Sequence, residues 1–213
     1  MFKLLKLELH SLRWFFLIPV LVVYGILPLI NAVMIVATSS NIMVAAQQVL
    51  EDAQKIISLF VVWWPMLVLK EYLNAPGNEL LFVFLKRSNR LFTRMLMLWG
   101  AYLFFATPAF VAYALMFKGY YGLPLAVASQ SLLFLSFAYM LAIIFKNTFL
   151  PIIISVLYAV GCFVFKVGAF NIFVSDGLFF ASEMTLKYAV LALLSVVFLL
   201  IGYICERRIY RGA

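Results

Sequence analysis

A chain of 213 residues that is 67% hydrophobic and only 11% charged, with a mean hydropathy of +1.13, lies far from the balance of a soluble globular domain. Crossing a roughly 30 Å hydrocarbon layer takes about 20 mostly apolar residues per helix, so this length holds about six spans and no soluble domain of any size. The formal charge of +8 is then a matter of membrane topology, and nucleic-acid binding is not its reading.

In chain order, charge-free apolar blocks fall at 14–36, 56–69, 95–117, 119–145, 147–165 and 188–205. They predict an all-α, polytopic membrane protein with six transmembrane helices, 1–213 forming a single transmembrane domain with both termini on one side. Ahead of the first block, Phe2, Leu5, Leu9, Leu12 and Phe16 share one helical face, with Lys3, Lys6, His10 and Arg13 in a neighbouring stripe. This pattern predicts an interfacial helix over 1–13, the alternative being a positively charged flank that only sets orientation. The first block carries no small-residue cleavage site and reads as a retained helix rather than a signal peptide. The second block is short at its charge-free limit and borrows polar residues at its ends, where Lys55 and Lys70 can snorkel to the headgroups.

Between the second and third blocks, "GNELLFVFLKRSNRLFTR" places Lys86, Arg87, Arg90 and Arg94 within a few residues of one another. At 100° per residue, Leu81, Phe84, Leu85, Ser88, Phe92 and Met95 share one face, and those four cations gather on the opposite one. An amphipathic helix over 78–94 follows: Pro76-Gly77 breaks the preceding helix, Asn78 sits at the N-cap and Glu79 favours the helix dipole. Such a helix can lie on anionic headgroups or dock on a protein.

With both termini inside, twelve basic residues are cytoplasmic and four (Lys55, Lys118, Lys166 and Lys187) are outside, a clear positive-inside asymmetry. Between the fifth and sixth blocks, residues 167–187 are apolar but interrupted by Asn171, Ser175-Asp176-Gly177 and Ser182-Glu183. Two half-inserted helices broken at Asp176-Gly177 would present Phe170, Phe173, Phe179 and Phe180 to the outer leaflet. An ordinary loop dipping into the interface is the alternative.

Absent chemistry narrows the mechanism. None of the six blocks supplies the deep ionisable group that proton- or sodium-coupled transport uses. No Gly-x-x-x-x-Gly-Lys phosphate loop is present, so any ATPase must be another polypeptide. His10 is the lone histidine, and the adjacent carboxylates Glu51-Asp52 have no His or Cys at ligand spacing, which gives no catalytic or metal residues and argues against an enzyme. Cys162 and Cys205 fall in different spans near opposite faces and read as apolar filler rather than a disulfide. Polar or amphipathic residues within the spans that could line a path are Asn31, Trp63, Trp64 and Gln130, with Thr38, Thr107, Ser129 and Ser136. Interfacial belts and hydroxyls bonded to their own helix are the plainer reading of such residues.

Gly77, Glu79, Leu80 and Leu81, followed by Ser88, Asn89 and Arg90, resemble the coupling-helix motif of the membrane subunits of type 2 ATP-binding-cassette exporters. The spacing from Gly77 to Glu79 is one residue shorter than the usual pattern, and no proline follows. The resemblance implies that Glu79, Leu81, Phe84, Leu85, Arg87, Arg90 and Arg94 form the docking face for a cytosolic ABC-type ATPase. ATP and Mg would then be held by that partner and no cofactor by this chain. It further implies a connecting helix at 1–13, and an external re-entrant hairpin at 167–187 that flanks the exit gate through Phe173, Asp176, Gly177, Phe179 and Phe180.

The function so implied is a permease subunit in a prokaryotic plasma membrane, both termini cytoplasmic, in contact with membrane lipid and paired as a homodimer or with a similar permease. It would export an amphipathic or hydrophobic cargo: a peptide or bacteriocin, a drug or a lipid-linked molecule. The alternatives are a six-span capture subunit of a vitamin-type uptake system and a membrane immunity protein with no transport activity.

Overall fold

The structure is a computed structural model that describes residues 9–10, 12–37, 42–73, 91–116, 123–164, 172–173 and 182–212. Most of the expected interfacial helix (1–8 and 11), most of the expected coupling helix (78–90) and most of the expected hairpin (167–171 and 174–181) lie outside the described residues. Among the described residues every regular element is helical. We name them α1 (Trp14–Ala37), α2 (Ile42–Phe60), α3 (Trp63–Leu73), α4 (Leu91–Met116), α5 (Leu123–Phe145), α6 (Phe149–Val164) and α7 (Ser182–Gly212).

Among the described residues five helices are long and apolar enough to cross a membrane: α1, the rod Val44–Leu73 formed by α2 and α3, α4, α5, and Leu186–Arg208 within α7. The expected span at 147–165 is not among them: its described residues form α6, a shorter apolar helix of 16 residues.

Prolines account for most irregularities. In α1 the backbone widens into a π turn over Val22–Ile26, where Leu27 N–H reaches back to the Val22 carbonyl. Pro28 has no N–H to offer the Tyr24 carbonyl, which lies inside that turn. The rod of α2 and α3 is interrupted at Val61-Val62 and restarts with Pro65 in its first turn, the helical position that tolerates a missing donor. Pro108 lies inside α4; the neighbouring Phe105 carbonyl accepts a hydrogen bond from the Tyr24 hydroxyl, which ties α1 to α4.

The N-terminal half of α2 is polar, yet it belongs to the packed body. Lys55 does not snorkel outward as expected: it is buried and forms an ion pair with Glu51 one turn earlier, at 3.5 Å. Burial removes the hydration that snorkelling would seek, and a neighbouring carboxylate compensates the charge. Lys70, by contrast, is exposed and lies over the Phe149 ring at 5.2 Å.

At the centre stands α5, which packs against α2, α3, α4, α6 and α7. Its most intimate partner is α7, and the reason is a glycine. A Cβ built on Gly202 would lie 2.6 Å from Tyr139 Cε1 and 3.3 Å from Met140 Cα, so only glycine lets the two backbones come this close. Turning from α5 into α6, Lys146 adopts φ 50°, and the Asn147 side chain accepts the Phe149 N–H at 2.8 Å to start the next helix. The periphery is apolar: Trp14, Val36, Phe104, Leu115 and Leu193 are all at least two-thirds exposed. Such a surface suits hydrocarbon and would be a liability in water.

Candidate functional site

The first N–H groups of any α-helix lack partners within the helix. At the start of α4, Leu91 N–H is held by Glu206 Oε1 of α7 at 3.1 Å, and the other carboxylate oxygen accepts from the Tyr139 hydroxyl of α5. Glu206 is 1% exposed and Tyr139 is fully buried, so this carboxylate is removed from solvent and satisfied by donors from two other helices. Its charge also complements the positive end of the α4 dipole. Phe92 packs between Tyr139 and Tyr203, with ring centroids at 6.5 and 5.8 Å. Arg207 extends over Tyr203 at 5.2 Å.

One turn into α4, Arg94 donates to the Tyr72 hydroxyl and stacks on its ring at 5.2 Å, joining α4 to α3. Arg94, grouped by sequence with the docking face, is therefore engaged within the fold. Glu79, Leu81, Phe84, Leu85, Arg87 and Arg90 lie outside the described residues.

Nearer the opposite end, α2 and α5 are joined by a fully buried polar cluster. Gln130 Nε2 donates to Gln54 Oε1 at 2.9 Å and to the Ile172 carbonyl at 3.2 Å, while the Ser58 hydroxyl lies 3.4 Å from Gln130 Oε1. The Ile172 N–H is held by the Tyr158 hydroxyl at 3.2 Å, and Lys187 Nζ donates to the Phe173 carbonyl at 3.2 Å. Phe173 does not face the outer leaflet as expected. It is 1% exposed, stacked on Phe134 at 6.1 Å and tilted against Tyr158 at 6.4 Å, because the backbone on both sides of its peptide is drawn inward by these hydrogen bonds. Asp176, Gly177, Phe179 and Phe180 lie outside the described residues.

The four expected path residues do not converge. Asn31 is buried and donates to the Tyr113 hydroxyl at 2.6 Å, joining α1 to α4. Trp64 is buried, stacks on Phe16 at 4.7 Å and donates to its carbonyl at 3.2 Å. Trp63 points the other way, with Phe60, onto a small cavity of about 50 Å³ beside α6. Gln130 belongs to the cluster above. None of them lines the larger cleft of about 730 Å³ between α5, α6 and α7, whose apolar wall is broken, among the described residues, by Ser155, Tyr158 and Lys187.

Sequence reading missed Glu206, which looked like one more flanking charge, and Gln54 with Ser58, which lie where an apolar block gives way to polar residues. Their signal is tertiary: each becomes a structural polar group only when another helix supplies its partner. Among the described residues no group of three His, Cys, Asp or Glu side chains could hold a metal, and Cys162 and Cys205 are free thiols. What the Leu91 node can do is mechanical, since a single carboxylate is shared by the base of α4, by α5 and by α7. Comparison with protein families, with curated proteins and with solved structures finds no match for this chain.

Proposed function

We propose that this chain is the transmembrane subunit of an ATP-driven exporter of the type 2 ATP-binding-cassette kind, energised by a separate cytosolic ATPase that holds ATP and Mg. The observation that supports it best is the continuity between a basic, amphipathic stretch and a firmly anchored helix. Lys86, Arg87 and Arg90 immediately precede Leu91, whose N–H is fixed by the buried Glu206. A docking element needs such an anchor, because force applied to a frayed helix end would be dissipated in local unwinding.

In this reading both termini are cytoplasmic in a prokaryotic plasma membrane, α6 crosses a locally thinned bilayer as the sixth span, and residues 167–187 form the outer hairpin. The subunit pairs with a second copy or a similar permease. An amphipathic cargo, first of all a peptide, suits the apolar cleft between α5, α6 and α7, whose about 730 Å³ falls within the usual range of ligand sites.

A photoreactive amino acid at Phe84, activated in native membranes, tests the reading. The expected product is a cross-link to a polypeptide carrying a Gly-x-x-x-x-Gly-Lys phosphate loop. Cross-links to lipid alone would overturn it. A cross-link to an intervening membrane protein would favour the capture-subunit alternative.

A further inference from the structure

We infer that Glu206 is a positioning residue that clamps the base of α4 to the α5–α7 pair, so that a displacement of the chain before Leu91 moves α7 as well as α4. Its use in force transmission rests on the exporter reading; the clamp itself rests only on the geometry.

Three observations carry it. First, Glu206 is 1% exposed, and both of its oxygens are used, one on each neighbouring helix. Charge-assisted hydrogen bonds of this kind are about twice as strong as neutral ones. Second, the two helices that share it apart from α4 cannot slide independently, because Gly202 of α7 seats directly against the Tyr139 ring whose hydroxyl reaches Glu206. Ring, glycine and carboxylate therefore behave as one rigid unit, and the Leu91 N–H is clipped onto it. Third, α7 continues from Glu206 back to Ser182, a run of roughly 36 Å at 1.5 Å per residue. At its far end Lys187 holds the Phe173 carbonyl, and Phe173 packs on Phe134 and Tyr158. A pull at Leu91 is thus delivered along α7 to the cleft between α5, α6 and α7, which Phe134, Tyr158 and Lys187 help to line.

The contact of Arg94 with Tyr72 leads into α3, and the pairs Asn31 with Tyr113 and Tyr24 with Phe105 lead into α1. At the base of α4, Phe92 packs against the same two helices through the Tyr139 and Tyr203 rings, and the carboxylate adds directional hydrogen bonds to that contact.

The test uses the full chain in lipid nanodiscs. In the isolated chain, amide exchange at Leu91 to Arg94 should accelerate by about 10- to 100-fold in Glu206→Ala, the range expected for losing a hydrogen bond to a charged group. Glu206→Gln, which keeps an acceptor for Leu91, should recover most of that protection. In the complex with the ATPase, spin labels at the exposed positions Leu115 and Leu186 report whether α4 and α7 move together. Addition of ATP and vanadate should leave their separation unchanged in the parent and in Glu206→Gln, and should shift it in Glu206→Ala. Unaltered exchange in Glu206→Ala overturns the clamp. A nucleotide-induced shift equal in parent and Glu206→Ala overturns the transmission while leaving the exporter reading intact. Failure of the parent to bind any ATPase overturns the exporter reading, and the exchange arm still decides the clamp. If Glu206→Ala does not fold, Tyr139→Phe, which removes one donor and keeps the cap, serves in its place with a smaller expected effect.

Discussion

Replacing Gly202 by Ala adds one methyl group at the closest approach between α5 and α7. The new Cβ would lie 2.6 Å from Tyr139 Cε1 and 2.7 Å from Cδ1, so the helices must open by about 0.8 Å to restore the 3.4 Å of ordinary contact. The ring cannot swing aside, since Tyr139 is fully buried and its hydroxyl is tied to Glu206. Overpacking of this size costs about 1–3 kcal/mol. The gain from replacing a helical glycine by alanine offsets at most about 1 kcal/mol. A net loss of about 1–2 kcal/mol follows, equivalent to a fall in Tm on the order of 5 °C for a chain of this size. Thermal unfolding in detergent, followed by intrinsic fluorescence, reads it directly. Gly100→Ala and Gly161→Ala are matched controls, because a Cβ at either meets nothing within 4 Å, and both should be neutral or slightly stabilising. On a Tyr139→Leu background the cost of Gly202→Ala should shrink to a few tenths of a kcal/mol, since the obstructing ring is gone. If Gly202→Ala proves as stable as Gly100→Ala, the close approach of α5 and α7 is refuted, and with it the rigidity of the unit that holds Glu206.

Substituting Gln130 by Leu removes a donor from Gln54 and from the Ile172 carbonyl at a fully buried site; we expect a loss of about 1–2 kcal/mol in denaturant titration. The double change Gln54→Leu with Gln130→Leu should recover more than half of it, because two apolar groups then face each other. Lys146→Gly relieves a left-handed residue at φ 50° and should stabilise by about 1 kcal/mol in the same assay, whereas Lys146→Ala should not.

The positions of the helices were legible because hydropathy is a local property. The blocks at 14–36, 119–145 and 147–165 reappear within a few residues as α1, α5 and α6. The second block was drawn at 56–69 and reaches back in fact to Ile42, through Gln47, Gln48, Glu51, Asp52 and Gln54. A polar run in sequence argues for a loop, but here Glu51 neutralises Lys55 and Gln130 donates to Gln54, so those groups can be packed. Glu206 was hidden for the same reason: one acidic residue beside Arg207 and Arg208 reads as a solvated flank until Leu91 and Tyr139 are seen to converge on it from more than sixty residues away. Phe173 was assigned to lipid on its apolar character, whereas a buried backbone turned it onto Phe134. The π turn in α1 follows from Pro28, yet which irregularity a proline selects depends on its neighbours, Tyr24 and Phe105 among them.

The most direct measurement is a cryo-EM structure of the complex in lipid nanodiscs with ATP and vanadate. The account predicts residues 78–90 seated in a groove of the ATPase, with Leu81, Phe84 and Leu85 at the contact and the Glu206 carboxylate still on Leu91 N–H. Residues 78–90 lying flat on headgroups with no protein beneath them, or termini on the far side of the membrane from the ATPase, would contradict it.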